Sequence, residues 1–247
     1  MRAPVDTIVA PLFPRRLPWV NVEGEQASII QRGRPMLVEF WDFCRPNSLR
    51  TLPYVKAWHE RYREDGLRVI GVHCPGFDAS REEQAVRDAV DRLAIEHAVL
   101  IDGELELWQE YGNEGWPARY LFDGRARLFH YHYGEGAYRE TELAIQELLG
   151  VEREPLAPLR PEDVEGALLA VPTAEQPGPY SGPYEAGGVW AVLEGTGSVR
   201  VNGSERAISA PGAYPLIEHA RHTAGVLELS VAGGLRCLAT CFTPGLA

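Results

Sequence analysis

The sequence predicts a mixed α/β domain followed by a small all-β domain. Three observations carry this. Over residues 35–150, short apolar runs alternate with amphipathic helical patterns. Residues 151–187 then carry seven prolines, from Pro155 to Pro183. From Gly188 onward the pattern is short β runs separated by turns.

The elements follow in order. Pro35-Met-Leu-Val-Glu-Phe-Trp41 is an apolar run of buried-strand type. Asn47 or Ser48 is placed to cap a helix that runs to about Asp65 and stops at Gly66, with Pro53 as an internal kink. Leu67 to His73 is a second strand. Ser80 is placed to cap a second helix through about Ile95, with Val86, Val90, Leu93 and Ala94 on one face. Ala98 to Ile101 reads as a short strand and Leu105 to Tyr111 as a short helix. Pro117 to Phe122 and Ala126 to Tyr133 flank Asp123-Gly124, a hairpin signal. A last helix covers about Tyr138 to Leu149, closed by Gly150. Strands joined through helices must run parallel, with right-handed crossovers, and the hairpin adds antiparallel strands.

The expected division is therefore 1–150 for the α/β domain, 151–187 for an extended proline-rich linker, and 188–247 for a small antiparallel sandwich or barrel. In the last part the β runs are 189–193, 197–202, 206–209, 213–217, 224–231 and 235–242. Asn202-Gly203 and Gly233-Gly234 are the hairpin turns.

Charge and cysteine usage bound the function. The chain has 247 residues, with 24 basic against 35 acidic side chains, a net charge of −11. A surface this acidic repels nucleic-acid backbones and anionic membranes. No stretch approaches the roughly 20 apolar residues of a membrane span. Pro4, Asp6 and Pro11 interrupt the first residues and spoil a signal-peptide core. The expected location is the cytoplasm, where four cysteines rest as thiols. Nothing calls for a cofactor or a metal, and the oligomeric state is open.

The informative stretch is Val38-Glu-Phe-Trp-Asp-Phe-Cys-Arg-Pro-Asn-Ser-Leu-Arg-Thr-Leu-Pro-Tyr54. It places Cys44 between a buried strand and a helix. The unpaired amides of a helix N-terminus stabilise a thiolate, and Arg45 beside it acts in the same direction. The residues alone thus suggest an activated thiol.

This region resembles the thioredoxin superfamily, and within it the TlpA/DipZ-like branch. The matching blocks are Phe40-Trp41, Leu49-Arg50-Thr51-Leu52-Pro53-Tyr54, Val69-Ile70-Gly71-Val72-His73, Trp116-Pro117 and Gly134-Glu135-Gly136, within Leu17 to Leu149. The resemblance implies a thioredoxin-like mixed sheet with flanking helices. It implies that Pro117 is a cis-proline facing the active site, with Trp41 and Trp116 beside a groove for extended substrate. It implies that Glu39 is the buried acid serving as proton acceptor for the family's second cysteine. The family's Cys-x-x-Cys pair falls on Arg45 and Ser48, so both of its thiols are absent. Cys44 lies one residue earlier. Cys74 follows the second strand, so both cysteines are expected at the C-terminal edge of neighbouring strands, where α/β chemistry gathers. A relocated Cys44–Cys74 pair, or a peroxidatic thiol with a resolving one, is one expectation. The substrate would be a protein or peptide thiol or disulfide, or a small peroxide.

Two other readings stand beside it: a redox-inactive binding module, and a two-domain scaffold in which the β domain binds. The remaining candidates read as structural. His73 and Cys74 face opposite sides of a strand. His130 and His132 share a face of an edge strand. Glu218-His-Ala-Arg-His222 falls in a turn between strands. Cys237 and Cys241 share one face of a strand about 13 Å apart, too far to bridge.

Overall fold

The computed structural model describes residues 8–22, 31 and 33–247. Pro4 and Asp6, read above against a signal peptide, lie outside the described residues. The chain divides into two compact units: Met1–Asp42 with Asn47–Ala157, and Phe43–Pro46 with Pro158–Ala247.

The first unit is built on a six-stranded sheet. Its strands are β1 (Trp19–Val20), β2 (Met36–Trp41), β3 (Arg68–His73), β4 (Ala98–Ile101), β5 (Ala118–Phe122) and β6 (Leu128–Tyr133). Their order across the sheet is β1-β4-β3-β2-β5-β6. β2, β3 and β4 run parallel, and β1, β5 and β6 add antiparallel neighbours. Among the described residues, four helices accompany them: α1 (Pro46–Tyr62), α2 (Glu83–Arg92), α3 (Glu106–Glu110) and α4 (Tyr138–Leu149). β2 is buried along its whole length, which explains its unbroken apolar run.

Strand alternation sorts the core into two layers. Met36, Val38 and Phe40 join Ile70, Val72, Leu100, Ala118 and Tyr120 on one face. Leu37 joins Val69 and Leu121 on the other, beneath Tyr54, Val55 and Trp58 of α1 and Tyr138 and Ile145 of α4. The hairpin forms at Asp123-Gly124. Asp123 Oδ1 accepts the Arg125 and Arg127 N–H groups at 2.8 Å. The left-handed residue of this turn is Ala126, with φ 59°.

Several local expectations change. α1 begins at Pro46, a favoured first helical position, so Ser48 sits inside the first turn. Its Oγ accepts the Asp42 N–H at 3.2 Å. Ser80 does not cap α2. It ends a short 3-10 turn, Asp78–Ser80, and its hydroxyl donates back to Phe77 O at 3.0 Å. Residues 151–157, read as the start of the linker, belong to the first unit. Val151 and Leu156 pack on the α1/α4 core. Leu156 N–H donates to Glu142 Oε2 at 2.8 Å, and Arg153 reaches Arg61 O at 2.7 Å.

The second unit is antiparallel. A four-stranded sheet has the order β12-β9-β14-β8, formed by β12 (Gly212–Leu227), β9 (Gly182–Glu194), β14 (Arg236–Thr243) and β8 (Gln176–Pro177). A three-stranded sheet has the order β11-β10-β13, formed by β11 (Ser204–Ile208), β10 (Gly197–Val201) and β13 (Leu229–Gly233). β15 (Gly245–Leu246) pairs with β7 (Leu169–Ala170). Ala191, Leu193, Val199, Leu227 and Phe242 share one core.

Asn202-Gly203 turns β10 into β11 with positive φ at both residues, as a type I′ hairpin requires. Gly233-Gly234 does not make a hairpin: β13 and β14 lie in different sheets. β7, β8 and the first six residues of β9 occupy the segment read as a linker, where proline spacing masked edge pairing. Glu218 to His222 is not a turn between strands. It lies within β12, at an irregularity in the pairing with β9. A second irregularity between Cys237 and Ala239 breaks the simple alternation assumed for Cys237 and Cys241.

Candidate functional site

The C-terminal ends of β2, β3 and β4 gather the polar residues of the first unit. Cys74 follows β3 directly. Its N–H donates to Trp41 O at 2.9 Å, and its carbonyl accepts Trp116 Nε1–H at 2.9 Å. The Trp116 indole also lies 4.4 Å from that of Trp108. The Trp116–Pro117 peptide is cis.

Two aspartates complete this edge. Asp42, buried after β2, accepts the Gly76 N–H at 2.8 Å and lies 3.4 Å from His73 Nε2. Asp102, buried after β4, accepts the Glu106 and Trp108 N–H groups at 2.8 and 2.9 Å and so satisfies the start of α3. Asp102 Oδ2 also receives the Cys74 S–H at 3.5 Å. Burial first, then Asp102 and Asp42, push the Cys74 thiol well above its ordinary value. The edge therefore holds Cys74 as a protonated thiol. Asp102→Asn keeps one acceptor oxygen for the start of α3, gives up the second and removes the charge, so Cys74 should become more acidic. Alkylation of native protein across a pH series would show its half-point move down, and an unmoved half-point refutes the assignment.

Glu39 lies deeper on β2, directly opposite Arg119 on β5 and Gly71 on β3. Both charged side chains are buried. Burial pushes the Glu39 carboxyl up to about 8, and Arg119 pulls in the other direction. Arg119 donates to Gly136 O at 2.5 Å, and its guanidinium lies 5.1 Å from the Tyr138 ring and 5.7 Å from that of Trp58. Trp41 reaches over Gly71: a Cβ at residue 71 would lie 2.9 Å from Trp41 Nε1.

Cys44 and Arg45 belong to Phe43–Pro46, within the second unit. The Cys44 side chain is buried. In that unit Phe43 O accepts the Ala213 N–H at 2.9 Å, and Arg45 lies 3.6 Å from Glu175. Cys241 donates to the same Glu175 at 3.3 Å, and burial and Glu175 push its thiol up.

Among the described residues, no group of three or more His, Cys, Asp or Glu is placed to hold a metal ion. His132 meets Glu135 O at 2.9 Å, and His219 meets Tyr184 Oη at 2.9 Å. Asp42, Asp102 and Arg119 were not singled out from the sequence. For the two aspartates a signal exists: each ends an apolar strand run at the edge where parallel sheets place their chemistry.

The first unit has a thioredoxin-like fold, with a small β domain following it. Its homologues include thiol-disulfide oxidoreductases. The chain is 33% identical to Protein DipZ of Mycobacterium tuberculosis over 133 residues, 53% of this chain and 19% of that protein. It is 24% identical to the thiol-disulfide oxidoreductase YkuV of Bacillus subtilis over 131 residues, 53% of this chain and 87% of that one. A thiol-disulfide isomerase from Corynebacterium glutamicum superposes with a TM-score of 0.51 at 24% identity, covering 58% of this chain and 98% of that structure. A thioredoxin-like protein solved in its oxidised form gives a TM-score of 0.51 at 23% identity, covering 58% and 97%. The chain thus spans about a fifth of the length of DipZ. No family model matches it. Among the described residues, no helix is long and apolar enough to cross a membrane.

Proposed function

We propose that the chain is a thiol–disulfide oxidoreductase in which Cys44 is the exchanging thiol. The observation that carries this reading is a cysteine two residues before the first residue of α1, on a fold shared with named thiol-disulfide oxidoreductases. The Cys44 thiolate attacks one sulfur of a protein or peptide disulfide. A Cys44–substrate bond forms, and the other substrate sulfur leaves as a thiolate. A low-molecular-weight thiol then attacks the substrate sulfur, leaves joined to it, and returns Cys44 as a thiolate. No net oxidation of the chain occurs. Cys74 stays protonated throughout, and Trp116 and Pro117 of the first unit receive extended substrate, while Trp41, expected beside them, is buried over Gly71. Arg45 and Ser48, at the positions of the family's dithiol pair, carry no electrons. The proposed location is a reducing cytoplasm, which suits four cysteines held outside disulfides.

The burial of Cys44 favours a second reading, a redox-inactive module that binds a peptide. Differential alkylation with mass spectrometry separates the two. Under the first reading Cys44 is alkylated at neutral pH well ahead of Cys237, whose thiol burial pushes up to about 11. Cys44→Ser then abolishes exchange with an oxidised peptide. A Cys44 as slow as Cys237, with exchange unaffected by Cys44→Ser, leaves the binding module.

A further inference from the structure

A cavity of about 340 Å³ opens between α1 and the turn joining α2 to β4, away from the edge described above. Lys56, His59 and Glu60 line it from α1, and Ala94, Glu96 and His97 from the turn. His97 is 1% exposed, and among the described residues neither of its ring nitrogens has a hydrogen-bond partner. The buried Nδ1 of His59 also lacks one. The two rings lie 5.8 Å apart, edge to face. Buried polar atoms of this kind are ordinarily satisfied, and two imidazoles on one cavity point to a ligand.

The charges around the cavity select the ligand's sign. Lys56, the chain's one lysine, uses one of its three N–H groups on Leu93 O at 2.7 Å. Burial pushes the His97 ring down to about 3, with His59 and Lys56 acting in the same direction. The His59 ring is also pushed down, by burial and then Arg63, against Glu60 and Glu96. Positive neighbours alone therefore act on His97, while the carboxylates act on His59. A metal cation would meet the Lys56 ammonium. On the His97 side an anion would meet the Lys56 ammonium and the imidazole, with the Glu60 and Glu96 carboxylates lying on the His59 side. The alanine side of the cavity is apolar, and its volume admits several carbon atoms.

We propose that this cavity binds a small aliphatic carboxylate, its charge held by Lys56, His59 and His97 and its hydrocarbon resting on Ala57 and Ala94. Such a ligand favours imidazole protonation, so binding tightens as pH falls.

The single lysine makes the test specific. The full chain is labelled with ¹⁵N-lysine and ¹⁵N-histidine and titrated with butyrate, inorganic phosphate and Zn²⁺ in separate NMR series. Butyrate should move the Lys56 and His97 signals saturably, and more tightly at about pH 6 than at about pH 8. Lys56→Met should weaken it about tenfold or more, and Lys56→Arg should restore it. Four results each overturn the proposal. These are no saturation by about 50 mM butyrate, unchanged affinity in Lys56→Met, binding of phosphate in preference to butyrate, and Zn²⁺ binding that depends on His97.

Discussion

Replacing Glu39 by glutamine should remove a loss of folding stability that develops between about pH 5 and pH 8, and stabilise the protein at the upper end. The sign follows from the direction of the shift. Burial raises the folded-state carboxyl from 4.5 to about 8. Between those values the folded chain keeps a proton that the unfolded chain releases. The stability tied to Glu39 is therefore fully present below 4.5 and lost as pH climbs toward 8. The loss amounts to a few kcal/mol. Glutamine keeps the shape of the neutral carboxyl and cannot ionise. Arg119 stays in place, its charge resting on Gly136 O and on the Tyr138 and Trp58 rings. Urea unfolding across a pH series checks this. Parallel profiles for the wild type and Glu39→Gln would show that Glu39 is not the group.

Gly71→Ala should cost about 1–3 kcal/mol, although alanine ordinarily stabilises a strand over glycine. The added Cβ would lie 2.9 Å from Trp41 Nε1 and 3.3 Å from His97 Nε2. The Trp41 indole is 1% exposed and has no room to retreat. Gly71→Ala combined with Trp41→Phe removes the colliding pyrrole edge. A double-mutant cycle should then show a favourable coupling of about 1 kcal/mol or more. Additive losses would place the cost elsewhere.

These two residues also show how far the sequence could be read. Strand β2, strand β3 and the crossover between them follow from apolar runs and helix signals in one short stretch. The hairpin follows from Asp123-Gly124, although its left-handed residue proves to be Ala126. Glu39 was found through the family resemblance, whereas Arg119 was not, because strand register decides which residues stand opposite each other. Gly71 could be quoted within a motif, but its need for glycine comes from an indole thirty residues earlier. Asp102 ends an apolar strand run in the sequence, but its role comes from two backbone partners and the Cys74 thiol that only the fold brings around it. In the second unit, β12 runs straight through Glu218 to His222, the stretch that reads as a turn. Only its partner β9, itself spaced with glycine and proline, makes it a strand.

Glu142 on α4 carries one more consequence. Its carboxylate, 1% exposed, accepts from Trp58 Nε1–H at 3.3 Å, Tyr62 O–H at 2.7 Å and Leu156 N–H at 2.8 Å, with Arg61 at 3.5 Å. One of these donors comes from beyond the glycine that ends α4. Truncation at Gly150 would strip that donor from a buried anion and expose the apolar surface covered by Val151 and Leu156. The smallest piece able to fold by itself therefore reaches at least Leu156, and a protease trimming the chain from its C-terminal side should stall there.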